Sequence, residues 1–375
     1  MQLVKAPRDA LLRPLQVVSG IVERRQTLPI LANILLRKDG DRVSFTATDL
    51  EIQIETSAEI GAGRDSGATT VAARKLVDIL RALPESDVTL SLAGRKLTLQ
   101  SGKSRFNLQT LAADEYPTVA QAEASADFTL PAAALKYLLA MAHFAMAAQD
   151  IRYYLNGMLL VVEASVVRAV ATDGHRLALV EVGRDGAAAR SESSAGAGRI
   201  EAIVPRKTIL ELMRLLPDSE DPVRVQMAAN QVKFSFGSIE LISKLVEGKF
   251  PDYQRVIPVG NSKEFVVGRD ELMHALQRSA ILTTDKFKGV RIVLAPGSLK
   301  ITSTNADQEE AQEELDIDYG GEPLDVGFNV TYLLDVLANL RCEQVKFALG
   351  DALGSALITM PDSERFKYVV MPMRI

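Results

Sequence analysis

Three histidines, one cysteine and scattered carboxylates are the groups with which this chain could do chemistry. His143, His175 and His274 stand far apart, and none belongs to a His-Glu-x-x-His run or has a second histidine at metal-ligand spacing. Asp173-Gly-His175 could form an acid–base pair, the carboxylate orienting an imidazole for proton transfer. Cys342 stands alone, so neither an internal disulfide nor a multi-cysteine zinc site is available. Gly248-Lys249 ends like a phosphate loop but runs on into Phe250 without the upstream glycine. The Gly, Ala and Ser-rich stretch 186–198 matches no phosphate-cradling spacing and reads as a mobile surface loop. The acidic run 307–318 has no basic or nucleophilic partner beside it. These residues point to a binding protein without catalytic site, metal or cofactor. The alternatives are a repeat-scaffold enzyme using Asp173 and His175, and a protein-only interaction hub.

The elements that must position these groups come in threes. A hairpin signature ending in Thr-Asp or Thr-Asn occurs at Asn33–Asp49, Asn156–Asp173 and Gly289–Asn305, the end pairs spaced by 124 and 132 residues. An amphipathic helix is expected before each hairpin, over 8–22, 131–146 and 269–282. In the first, Leu11, Leu12, Leu15, Val18 and Val22 share one face. A second helix is expected after each, beginning at Arg74, Arg206 and Thr331; the first two open on Arg-Lys and stop at Leu-Pro. Further alternating strands follow. Asp173 occupies the hairpin-end slot that Asp49 and Asn305 fill elsewhere, so a turn role is the simpler reading of it. The expected fold is α+β, with three tandem domains of two helices on antiparallel sheets, over 1–125, 126–262 and 263–375.

The 375 residues carry 43 Lys plus Arg and 48 Asp plus Glu, net −5, with 47% apolar and 24% charged residues. That composition fits a folded globular chain. The N-terminus lacks the apolar core of a secretory signal, and no apolar run approaches the ~20 residues of a membrane span. With one cysteine, the expected compartment is the reducing cytoplasm, without a membrane partner. Net acidity argues against nucleic acid until it is divided by repeat: +1, 0 and −6. The acidity belongs to 307–318, which holds seven acids in twelve residues. Its opposite is the basic set Arg95, Lys96, Lys103 and Arg105 in the first repeat. A head-to-tail contact between two chains would bring them together and could close a ring. Twelve helices lining it at ~10 Å spacing give a radius of roughly 19 Å. Less half a helix diameter, the hole is about 28 Å across, wide enough for a duplex. Arg74, Lys75, Arg81, Arg206, Lys207 and Arg214 would then face phosphates without reading sequence.

Six stretches carry a resemblance to a known family: Thr27-Leu-Pro-Ile-Leu31, Gln149-Asp-Ile-Arg-Tyr-Tyr-Leu-Asn-Gly-Met158, Ala171-Thr-Asp-Gly-His-Arg-Leu177, Phe250-Pro-Asp-Tyr253, Gly327-Phe-Asn-Val330 and Tyr368-Val-Val-Met-Pro-Met-Arg-Ile375. With them the chain resembles, over its whole length, the bacterial DNA sliding clamps, the beta subunits of DNA polymerase III. The resemblance implies a head-to-tail homodimeric ring around double-stranded DNA that tethers the replicative polymerase. A clamp loader opens it, other polymerases and repair factors share it, and it has no catalytic site or cofactor of its own. It places Arg25 (with Arg24 beside it), Arg74, Gln149, Tyr153, Tyr154, Arg206 and Lys207 toward DNA. It assigns a partner-peptide pocket to Leu155, Thr172, Gly174, His175, Arg176, Leu177, Pro251, Arg255, Val256, Val369, Met371, Pro372, Met373 and Arg374. Met-Pro-Met at a chain end suits an adaptable apolar surface for peptides rich in apolar residues and glutamine. The subunit contact falls on Lys96, Lys103, Arg105, Phe106 and Leu108, facing Ile281, Leu282, Glu309, Glu310 and Glu313.

Overall fold

One order of elements runs three times along the chain: strand, helix, four strands, helix, three strands. The computed structural model describes residues 1–23, 28–184, 199–284 and 287–375. The first copy holds β1 (Gln2–Pro7), α1 (Arg8–Ser19), β2 (Asn33–Asp39), β3 (Arg42–Thr48), β4 (Ile52–Glu59), β5 (Gly67–Ala72), α2 (Ala73–Ala82), β6 (Asp87–Ala93), β7 (Lys96–Ser101) and β8 (Ser104–Leu111). The second holds β9 (Ala126–Pro131), α3 (Ala132–Ala140), β10 (Gly157–Val162), β11 (Val166–Thr172), β12 (Arg176–Gly183), β13 (Ile200–Pro205), α4 (Arg206–Leu215), β14 (Pro222–Met227), β15 (Gln231–Phe236) and β16 (Ile239–Lys244). The third holds β17 (Lys263–Gly268), α5 (Arg269–Ala280), β18 (Gly289–Ala295), β19 (Ser298–Thr304), β20 (Glu310–Asp316), β21 (Leu324–Asn329), α6 (Val330–Asn339), β22 (Gln344–Leu349), β23 (Ala356–Met360) and β24 (Ser363–Val370). The fold is α+β, and all its strand pairs are antiparallel.

The helices form where the apolar spacing demands them. In α2, Leu76, Val77 and Leu80 are buried while Arg74, Lys75, Asp78 and Arg81 face out. It stops at Leu83, which is extended (φ −75°, ψ 145°) because Pro84 follows. Truncating a fully buried leucine such as Leu76 to alanine costs about 2–5 kcal/mol. The repeats share a lock at the start of their first helix. The Arg8, Ala132 and Arg269 backbone N–H groups donate to Ser86, Asp221 and Glu343 carbonyls, each at 2.9 Å. In two copies the arginine also caps the second helix, Arg8 to the Leu83 carbonyl at 2.6 Å and Arg269 to the Leu340 carbonyl at 2.8 Å.

Met1–Ala133 and Arg214–Leu245 belong to one compact unit, the described parts of 134–213 with Val246–Ile375 to the other. The first contains a twelve-stranded sheet ordered β1-β6-β7-β8-β5-β2-β3-β4-β16-β15-β14-β9. It crosses a repeat boundary because β16 zips onto β4, with Leu241 opposite Ile54. The second contains β13-β10-β11-β12-β24-β23-β22-β17 and a four-stranded sheet β20-β19-β18-β21. There β12 and β24 cross the next boundary, with Leu177 opposite Val369. The stretch 186–198 read above as a loop lies outside the described residues, as do Arg24 and Arg25.

Candidate functional site

The Thr172–Leu177 segment is a tight turn built from its own side chains. Thr172 Oγ1 donates to the Arg176 carbonyl at 2.6 Å and accepts from the Gly174 N–H at 3.1 Å. Asp173 Oδ1 accepts from the backbone N–H groups of His175 (2.9 Å) and Arg176 (3.1 Å). The first repeat builds the same turn with Thr48 and Asp49, whose Oδ1 takes the Glu51 and Ile52 N–H groups at 3.0 and 2.8 Å. In the third, Asn305 accepts from Asp307 and Glu309. Asp173 is therefore a turn residue. Its bond to His175 is to the backbone and not the imidazole, so the acid–base alternative lacks its dyad here. Gly174 takes φ +90°, and a Cβ there would come within 2.8 Å of the Arg152 guanidinium. Arg152 crosses that turn to donate through Nη2 to the Asp173 carbonyl at 3.3 Å, while its Nε and Nη2 hold the half-buried Asp150. Hydrogen bonds from Arg152 draw the Asp150 carboxyl down to about 2.

The expected pocket residues separate into a buried floor and an exposed rim. Leu155, Leu177 and Val369 are each 1% exposed, and Thr172 is also buried. Leu177 and Val369 share a cluster with Phe250 and Tyr253, the two aromatics of the Phe-Pro-Asp-Tyr stretch. Gly174, His175, Pro251, Arg255, Val256, Met371 and Arg374 are exposed, and Pro372 and Met373 half-buried. Arg255 pairs locally with Asp252 at 2.9 Å. The chain end is tied down in steps: Met371 N–H to the His175 carbonyl at 2.9 Å, then Met373 N–H to the Gly327 carbonyl at 2.8 Å. Ile375 fills the space above Gly327, where a Cβ would meet it at 2.5 Å. That accounts for the glycine in Gly-Phe-Asn-Val.

Arg176, also assigned to the pocket, belongs to neither the buried floor nor the exposed rim. Its guanidinium turns inward, Nε to Asp173 Oδ2 at 3.0 Å, Nη1 to Asp335 Oδ2 at 2.5 Å and Nη2 to the Phe144 carbonyl at 2.6 Å. It also lies over the Tyr332 ring, 4.4 Å from the centroid. Burial works to lower its pKa, and its Tyr368 and Asp335 neighbours more than reverse that, so it is held well above its ordinary value. Phe144, Arg152, Tyr332 and Asp335 were not foreseen at this site. The only sequence signal was weak: Tyr332 and Asp335 stand three apart on one face of a helix.

The residues expected to face nucleic acid are less uniform than their charges suggest. Arg74 is exposed in the first turn of α2, with Nη2 3.3 Å from the Val22 carbonyl. Arg206 and Lys207 open α4 and are half-buried; Arg206 Nη1 donates to the Met146 carbonyl at 3.2 Å. Cations in a first turn oppose the helix dipole and add positive charge to the helix end that attracts anions. Gln149, Asp150, Arg206, Arg176 and Asp335 line one cavity of about 570 Å³, with His143, whose pKa burial lowers. Tyr153 is 56% exposed, whereas Tyr154 packs on the Leu177–Val369 cluster. Arg214, read above as a phosphate-facing cation, donates to the Gln16 and Val17 carbonyls at 3.2 and 2.8 Å, near the end of α1.

The subunit-contact residues sit on two edges. Lys96, Lys103 and Arg105 are exposed on β7, β8 and the turn between them, and make no ion pair among the described residues. Phe106 is 36% exposed and Leu108 half-buried. On the other edge Ile281 is 77% exposed, Leu282 is half-buried, and Glu309 and Glu310 are exposed. Glu313 differs: Arg278 grips both its oxygens at 2.8 and 2.6 Å, which lowers its pKa, so its charge is met within the chain. Among the described residues no three His, Cys, Asp or Glu side chains gather as a metal-binding group, and no helix is long and apolar enough to cross a membrane.

Three family models match in order: the N-terminal domain of the DNA polymerase III beta subunit over residues 3–120, its central domain over 129–252 and its C-terminal domain over 254–374. The chain is 46% identical over 369 residues to the beta sliding clamp of Pseudomonas putida and 45% identical over 369 to that of Escherichia coli K12, covering 98% of each chain in both cases. A DNA polymerase III subunit beta from Pseudomonas aeruginosa, solved bound to griselimycin, superposes with a TM-score of 0.94 at 44% identity over 100% of both chains. The Caulobacter crescentus clamp gives 0.92 at 38% identity, over 100% of this chain and 99% of that one.

Proposed function

The chain belongs to the DNA polymerase III beta subunit family, and from that membership we propose how its sites work. It is a DNA sliding clamp, a non-catalytic processivity subunit with a peptide-binding pocket. In the proposed mechanism two copies join head to tail into a ring around duplex DNA. Lys96, Lys103, Arg105, Phe106 and Leu108 of one copy meet Ile281, Leu282, Glu309 and Glu310 of the next. Glu313 contributes there through Arg278. The repeats act as domains 1–125, 126–262 and 263–375, six to a ring.

Arg25, Arg74, Gln149, Tyr153, Arg206 and Lys207 meet the sugar-phosphate backbone, with Tyr154 in support beneath Tyr153. Contacts of this kind fix no register, so the ring can slide. The pocket of Leu155, Thr172, Leu177, Val369 and Met371 takes short apolar, glutamine-bearing peptides of the replicative polymerase, the clamp loader and repair factors, and griselimycin. Binding is topological: departure requires a ring to open, which gives a tethered polymerase a high effective concentration at the primer end. The protein works in the cytoplasm and needs no cofactor; the energy for opening the ring comes from ATP used by the loader. The observation that carries this reading is the threefold element order joined to the Thr172–Leu177 turn beside the C-terminal strand. The test compares retention on circular and linear DNA.

A further inference from the structure

All three guanidinium nitrogens of Arg176 already donate inside the protein, to Asp173, to Asp335 and to the Phe144 carbonyl, and its side chain is only 10% exposed. A group so committed is poorly placed to greet a peptide. Its backbone, however, is central to the pocket. The Arg176 carbonyl receives the Thr172 hydroxyl, its backbone pairs with Val370, and Leu177 beside it pairs with Val369. Whatever fixes Arg176 therefore fixes the turn and both floor residues. Two of its three side-chain partners belong to the second repeat, Asp173 on the turn itself and the Phe144 carbonyl, 32 residues before Arg176. The third, Asp335, comes from α6 in the third repeat, 159 residues away. Asp335 lines the cavity that also holds Gln149 and Arg206.

We propose that Asp335 is a positioning residue of the peptide pocket: through its ion pair with Arg176 it sets the Thr172–Leu177 turn and the Leu177–Val369 floor without touching the bound peptide. The proposal rests on the pocket reading above. Removing the Asp335 carboxylate leaves Asp173 as the one carboxylate paired with a guanidinium that is only 10% exposed. The guanidinium then shifts toward Asp173 and disturbs the turn that Asp173 itself builds. Asparagine at 335 keeps the shape and removes the charge. Lysine at 176 keeps the charge but cannot bridge three acceptors at once.

Griselimycin is titrated calorimetrically into full-length wild type, Asp335→Asn, Arg176→Lys and the double variant, with melting temperature and molecular mass recorded for each. The expected result is roughly tenfold weaker binding for each single variant, no further loss in the double, and recovery to within about twofold in Asp335→Glu. A structural role alone would lower melting temperatures without this non-additivity or this recovery. Arg176→Lys carries the same expectation and decides the matter if the asparagine variant does not fold. Wild-type affinity in Asp335→Asn, or losses that multiply in the double variant, would overturn the proposal. Absence of griselimycin binding by wild type would instead overturn the pocket reading, and the inference with it.

Discussion

The Met371 backbone N–H donates to the His175 carbonyl at 2.9 Å, so the chain's last residues begin on the Thr172–Leu177 turn, beside the proposed pocket. Met373 then bonds to Gly327, and Ile375 covers it. Deleting Met373–Ile375 removes the second anchor, at Gly327, and leaves Met371 held by its bond to the His175 carbonyl. Griselimycin and polymerase binding are expected to be lost while the dimer persists in analytical ultracentrifugation. Undiminished binding by the truncated protein would count against the pocket.

Charge reversal at Lys103 and Arg105 is expected to weaken dimerisation, because those exposed cations make no ion pair among the described residues. Glu309→Lys with Glu310→Lys, added to the reversed protein, is expected to restore it. The check is the dimer dissociation constant by sedimentation at about 0.1 M salt, where surface charges still act over ~10 Å. A dimer as tight as wild type after the first reversal refutes the contact. Glu313→Lys should do more harm within the subunit, since it strands Arg278.

Gly174→Ala is expected to destabilise the protein by about 1–2 kcal/mol through its left-handed backbone alone. The new Cβ also displaces Arg152 from above the turn. Denaturant unfolding measures the loss. Pairing the change with Arg152→Ala removes the steric part and should recover some of the stability; no recovery would show that the Arg152 contact is immaterial.

Asp150 supplies a pH test. Its folded carboxyl sits at about 2, below the ordinary 3.8, so the Arg152 interaction is fully present above the ordinary value and lost as pH falls through about 2. Carboxyl NMR titration should find that low midpoint in wild type. In Arg152→Ala the midpoint should return toward 3.8. A wild-type midpoint already at the ordinary value contradicts the Arg152 brace.

Much of this was legible in the sequence because it is local. The 3.6-residue pattern of Leu76, Val77 and Leu80, the Leu-Pro stops, and the Thr-Asp hairpin ends all declare themselves within a dozen residues. Two first helices are shorter than their apolar spacing predicts: Val22 is buried but lies beyond the Ser19 end of α1, and α3 ends at Ala140 where the spacing predicts helix to 146. What could not be read was pairing over long separations: β16 on β4, Arg176 with Asp335, Arg214 with Gln16. A lone arginine in a sequence shows its charge and not whether that charge is already spent. Glu313 pairs with Arg278, and Arg214 donates to the Gln16 and Val17 carbonyls, contacts that no local spacing announces. Tyr153 and Tyr154 are identical in type and adjacent, yet only the fold tells which ring is solvent-facing.

Retention on circular DNA tests the central claim most directly. The labelled protein is loaded onto a nicked circle with clamp loader and ATP, freed of loader by gel filtration, and followed before and after a restriction enzyme linearises the circle. Slow loss from the circle and rapid loss once it is cut are expected of a ring that binds by encircling. Equal lifetimes on the two forms would contradict it.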